Sequence, residues 1–199
     1  MQFQFNGSYY HFTNTQMIVA AFILIVVVAI AVAAYLKHRK ARTLALRNRF
    51  GTEYDRAVLT HGSPREAEAK LVDRETRVET LKIRDLGIIE RDRFVTEWHT
   101  VQSRFVDHPK AAVTEADELI AALLEARGYP LASFEQRAND VSVNYPGVMK
   151  NYRVAHAIAA RLGQPEASTE ELRTAMIQYR AIFDELVQAQ KPTEQIIAA

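Results

Sequence analysis

The sequence has no cysteine. That excludes disulfide bridges and thiolate metal sites, although it does not choose a compartment, because many exported bacterial domains also lack cysteine. Its seven glycines are scattered at turns, so the Gly-rich loops that cradle phosphates or dinucleotides are missing. No lysine or arginine precedes Lys37, and no acid precedes Glu53. There is no HExxH pair and no GxSxG elbow; Glu97 and His99 stand two apart, on diverging helix faces. Serines 63, 133 and 168 sit where helix caps are needed. The sequence therefore offers no catalytic, cofactor-binding or metal-ligating constellation. No segment stands out as alternating apolar and polar residues between two turn signals, so essentially no β structure is expected.

What is present is an unbroken apolar run at residues 17–36, MIVAAFILIVVVAIAVAAYL. As a helix it measures ~30 Å, about the hydrocarbon thickness of a bilayer. Six basic residues follow within thirteen positions, Lys37, Arg39, Lys40, Arg42, Arg47 and Arg49, with no acid among them. The positive-inside rule then places the C-terminal side in the cytoplasm and the leader outside. Tyr9, Tyr10, Phe12 and Tyr35 suit the two headgroup layers. A cleaved signal peptide is the competing reading, since Ala31-Val32-Ala33 resembles a cleavage site. The uncharged leader, the long apolar run and the basic flank oppose it.

Beyond position 49, 19 Lys and Arg face all 24 Asp and Glu, a net charge of −5. No basic face remains for phosphate backbones, so nucleic acid is not an expected partner. The basic flank belongs to anionic lipid headgroups, with Lys37, Arg39, Lys40 and Arg42 in contact, each worth up to ~1 kcal/mol.

The expected organisation is a leader at 1–16, a transmembrane helix at 17–36 and a basic stalk at 37–51. A helical domain at 52–188 and a flexible tail at 189–199 complete it. Gly51 reads as a hinge between stalk and domain. Gly62 ends one helix, and Ser63, Pro64 and Glu66 start the next; Ser133 with Gln136 and Ser168 with Glu171 repeat the capping pattern. Phe94, Trp98, Val101 and Phe105 form one aromatic face on a helix at about 90–106. Ala112, Ala116, Leu119, Ile120, Leu123 and Leu124 form the next stripe, stopped by Gly128. Val148, Tyr152, Ala155, Ala159 and Leu162 follow, stopped by Gly163, and Leu172 through Leu186 supply the last. The predicted fold is all-α: a single N-terminal transmembrane helix followed by an antiparallel bundle of about six helices.

Several segments carry a resemblance: FGTEYDRAV at 50–58, Trp98 with VQSRFVD at 101–107, RGYP at 127–130, FEQRANDVSV at 134–143 and YRVAH at 152–156. Together, over about 49–187, they resemble a family of uncharacterised bacterial proteins described only as hypothetical, membrane or secreted. The resemblance implies a bacterial source and one domain unit, and carries no activity. With the charge asymmetry, it points to the bacterial inner membrane.

Polar residues cluster unusually at 134–153, where Glu135, Arg137, Asp140 and Arg153 surround two aromatic-proline turns, Tyr129-Pro130 and Tyr145-Pro146. Either Tyr129, Pro130, Arg137, Asp140, Tyr145 and Arg153 form a surface for an unknown protein partner, or the charges form a buried ion-pair network that fixes the turns. A membrane-tethered interaction or scaffolding module is the expected function. The alternative is a membrane-bound enzyme or small-ligand sensor with a site between helices, lined by Trp98, His99, Tyr152 and His156.

Overall fold

The computed structural model describes residues 2–5, 8–11, 14–162 and 167–188. Asn6, Gly7, Phe12 and Gly163, and the tail from position 189, lie outside the described residues, as do the side chains of Tyr9 and Tyr10.

The chain forms two compact units, 1–45 and 46–199. In the first, β1 (Gln2–Phe5) and β2 (Ser8–His11) pair antiparallel, with Phe3 opposite Tyr10 and Gln4 opposite Tyr9. These two four-residue strands are the small exception among the described residues, which are otherwise helices and their connections. Helix α1 runs from Asn14 to Phe50 without a break. Its apolar stretch is fully exposed, and among the described residues it is the one helix long and apolar enough to cross a membrane.

The second unit is an all-α bundle. Among the described residues seven α-helices follow α1: α2 (Thr52–His61), α3 (Pro64–Glu79), α4 (Ile88–Arg104), α5 (Pro109–Ala126), α6 (Phe134–Asn144), α7 (Met149–Ala159) and α8 (Thr169–Gln188), with a 3-10 turn at Pro146–Val148 between α6 and α7. Helix α8 packs against α7, α5 and α4, while the α2–α3 hairpin packs through α3 on α6. The main core collects the stripes of α4, α5, α7 and α8, with Trp98 stacked on Phe183 at 4.8 Å between centroids. Phe105 is only partly buried, because α4 ends one residue before it.

A smaller core joins Leu46 and Phe50 to Tyr54, Ala57, Ala67, Leu71, Val78 and Val143. The packed unit thus begins at Leu46, ahead of the expected start at Thr52. Gly51 is exposed but lies inside it, between Phe50 and Tyr54 of that core, and so does not separate a stalk from the domain. Two of the six flank charges belong to this unit as well: Arg47 pairs with Asp55 at 3.0 Å and Arg49 with Glu75 at 2.9 Å.

The helix starts follow the capping chemistry of the sequence. The hydroxyl oxygens of Ser63, Ser133 and Ser168 accept the backbone N–H groups of Glu66, Gln136 and Glu171. Glu171 returns a bond from the Ser168 N–H at 2.9 Å. At α4 no hydroxyl is available, and Glu90 accepts the Gly87 N–H at 3.0 Å while receiving both Arg84 Nη groups at 2.7 Å. The Arg84 bonds, then the Gly87 N–H, hold the Glu90 carboxyl down at about 2.

That depression sets an acid limb. A carboxyl held below its unfolded value adds stability above that value and loses it as the pH falls through the folded one. For Glu90 the loss runs from its ordinary 4.5 down to about 2. Glu90→Gln is expected to flatten the decline of domain stability over that window, measured as denaturant midpoint against pH. An unchanged slope would show that the Arg84–Glu90 pair contributes nothing to acid unfolding.

Candidate functional site

The charges at 134–153 belong to a network that joins four helices. Arg153 on α7 meets Glu53 on α2 side by side, Nε to Oε1 at 3.1 Å and Nη2 to Oε2 at 3.0 Å. Its Nη1 donates to Glu135 on α6 at 2.9 Å, and its Nη2 also reaches Asn139 at 3.3 Å. Glu53 is 3% exposed. A carboxylate so placed is stable only if paired and hydrogen-bonded, and Arg74 on α3 adds a second cation at 4.0 Å. Burial pulls the Arg153 guanidinium down, and the carboxylates of Glu53 and Glu135 more than restore it.

Asp140 is also buried, and fully enclosed. It accepts Arg77 Nε at 3.0 and 3.3 Å and the Gln136 amide at 2.8 Å. Arg77 lies on α3 and Asp140 on α6, so the pair clamps the α3–α6 contact. Asn144 donates to the Tyr129 hydroxyl at 2.9 Å, and burial pushes that phenol up to about 12, against the pull of the Asn144 bond.

This arrangement decides between the two readings of the cluster for half its residues. Tyr129, Asp140 and Tyr145 are buried, so they hold the turns and offer no surface. Arg137, Pro130 and Arg153 are half-buried. Arg137 donates to the Tyr152 hydroxyl at 2.9 Å, and Arg153 is committed to its acids. Lys37, Arg39, Lys40 and Arg42 are exposed on α1.

The structure also gathers a group that spans α5, α6, α7 and α8. His156 Nδ1 lies 3.1 Å from Asp117 Oδ1, which also accepts the Tyr179 hydroxyl at 2.8 Å. Phe134 stacks flat on the His156 ring, centroids 3.6 Å apart and planes 8° apart, and meets Tyr152 edge-on. Burial pushes the Asp117 carboxyl up, yet the bonds from His156 and Tyr179 outweigh it and hold the group low. Burial, then the neighbouring Asp117 charge, drives the Tyr179 phenol up. Asp117 thus holds the imidazole at Nδ1 and leaves Nε2 outside that pair.

Of the four residues expected to line an interhelical site, Tyr152 and His156 belong to this group. Trp98 is engaged with Phe183, and His99 is exposed. Asp117 and Tyr179 were not among the residues expected to line that site. The usable signal was local: Asp117 stands four residues after Val113 and three before Ile120, both fully buried. Among the described residues no group of His, Asp and Glu is arranged to hold a metal ion.

Beside His156 an open cleft of about 540 Å³ is lined by Arg56, Ser133, Phe134, Glu135, Arg153 and Ala157. It is small enough for a metabolite-sized molecule, and its walls carry both signs of charge. Comparison of the chain with protein-family models, curated proteins and solved structures returns no match.

Proposed function

We propose that the chain is a membrane-tethered interaction module of a bacterial cell, anchored in the inner membrane by α1 with its leader outside and its helical domain in the cytoplasm. The observation that carries this reading is the continuity of α1. One helix holds the exposed apolar stretch at its start and contributes Leu46 and Phe50 to the domain core at its end. Lys37, Arg39, Lys40 and Arg42 lie between, ready for anionic headgroups. Tethering works by confinement: a partner at the same leaflet meets the domain at an effective concentration near the millimolar range.

The natural lack of cysteine makes the topology directly testable. In intact cells with a permeabilised outer layer, Ser8→Cys is expected to react with a membrane-impermeant maleimide. Leu59→Cys, 85% exposed on the domain, should react only after lysis. The reverse pattern would overturn the orientation, and reaction at Leu59→Cys in a soluble fraction would overturn the anchor. In-cell crosslinking should recover a reproducible neighbour; monomer alone would count against an interaction module.

A further inference from the structure

The cleft beside His156 has a feature that helix packing does not require. Two guanidinium groups converge on one carboxylate oxygen: Glu135 Oε2 is 2.9 Å from Arg153 Nη1 and 3.7 Å from Arg56 Nη2. The three groups differ in how firmly they are held. Arg153 is 11% exposed and fixed from behind by Glu53 through Nε and Nη2, so Nη1 keeps its place with or without Glu135. Glu135 is 64% exposed. Exposed ion pairs are weak and screened by solvent, so this carboxylate is readily displaced.

The local charge favours displacement by something more anionic. Arg56, Arg74 and Arg153 surround Glu53 and Glu135, three cations against two anions. A carboxylate ligand would only reproduce what Glu135 already supplies. A phosphate dianion brings a second charge and a third acceptor oxygen, and guanidinium groups match phosphate geometry well. The cleft also opens at the start of α6, where Ser133 is the N-cap and the helix dipole adds to the attraction.

We propose that this cleft binds a phosphate monoester, whose dianion displaces Glu135 and bridges Arg56 and Arg153. The organic part of the ligand lies along Phe134 and Ala157, and His156, oriented by Asp117, forms the adjoining wall. A soluble phosphate ester and a phosphatidic-acid headgroup carry this same chemistry. The inference is independent of the topology above.

The test is calorimetric titration of the full chain in dodecyl maltoside micelles, a detergent without phosphate. One arm adds glycerol 3-phosphate and the other adds phosphatidic acid in mixed micelles. Saturable binding in either arm is expected, and the responding arm identifies the source. Glu135→Gln removes the resident competitor and should tighten binding about tenfold, whereas Arg56→Gln should weaken it about tenfold. Both side chains are exposed, 64% and 48%, and both variants leave the basic stretch of α1 untouched, which separates cleft binding from attraction to the stalk. Trp98 fluorescence confirms that each variant is folded. No binding in either arm at about 10 mM ligand, an affinity below useful recognition, would overturn the proposal. So would binding that neither substitution changes.

Discussion

Arg153→Ala is expected to destabilise the domain by about 3–5 kcal/mol, the cost of leaving a buried charge without its partner. The substitution strands Glu53, whose side chain is 4% exposed, with Arg74 at 4.0 Å as its remaining cation. At 4.0 Å Arg74 is an ion-pair neighbour and not a hydrogen-bonded one, so it offsets only part of the loss. For a domain of this size the loss corresponds to a fall in melting temperature of roughly 10 °C. The single tryptophan reports it directly, because Trp98 is buried against Phe183 and moves into water on unfolding. Two companions make the result diagnostic. Glu53→Gln with Arg153→Met removes both charges while keeping most of the volume, and should recover most of the stability, since such pairs contribute little beyond a well-packed apolar replacement. Arg137→Ala leaves the Tyr152 hydroxyl without its donor and should cost about 1 kcal/mol. If Arg153→Ala melts with the parent protein, the four-helix network is not what holds α2 and α7 together.

The same network marks where the sequence stops being legible. Helical stripes are a local property, and they were readable: every α8 residue expected in the core, from Leu172 to Leu186, is buried, as is the whole α5 stripe. Serine caps are local too, and all three are where the sequence put them. The polar pairs that specify how helices meet are not local. Glu53 and Arg153 are 100 positions apart, Arg77 and Asp140 are 63 apart, and Tyr179 and Asp117 are 62 apart. Periodicity shows which face of a helix is apolar, but not which other face it will meet, so a charge flanking the stripe can end buried or solvated. The N-terminal strand pair is a small exception of a different kind. Gln2-Phe3-Gln4-Phe5 alternates, and Asn-Gly, a strong hairpin dipeptide, follows at once. Four alternating residues with a turn signal at one end only fall short of the two-sided strand pattern.

Glu53 and Asp140 lie inside, each matched to an arginine that reaches across from another helix. At the cleft Arg153 is likewise fixed from within, by Glu53. Preorganisation of this kind lowers the cost of binding an anion, because the arginine does not have to be ordered by the ligand.

Gly128→Ala is expected to disrupt the junction that closes the main core, at a cost of roughly 2–4 kcal/mol, combining a left-handed backbone penalty with steric overlap. Gly128 has φ +93°, and a Cβ there would lie 2.3 Å from the Lys82 carbonyl oxygen and 3.3 Å from the Ile83 Cα. Both neighbours are backbone, so no side chain can rotate aside. The contact is also tied down: the Arg84 N–H donates to the Arg127 carbonyl at 2.9 Å, and the Tyr129 N–H to the Leu124 carbonyl at 3.0 Å. Moving the 82–84 segment away would break the first bond and pull on Arg127 and Tyr129, two of the largest fully buried side chains. Gly62→Ala provides the control. It shares a positive φ, +76°, but a Cβ there meets nothing within 4 Å, so it should cost only the backbone term, about 1–2 kcal/mol. The difference between the two variants, read by Trp98 fluorescence in denaturant, isolates the steric part. Equal losses would mean that the 82–84 segment can move away from the end of α5 at no cost, and that this junction does not close the core.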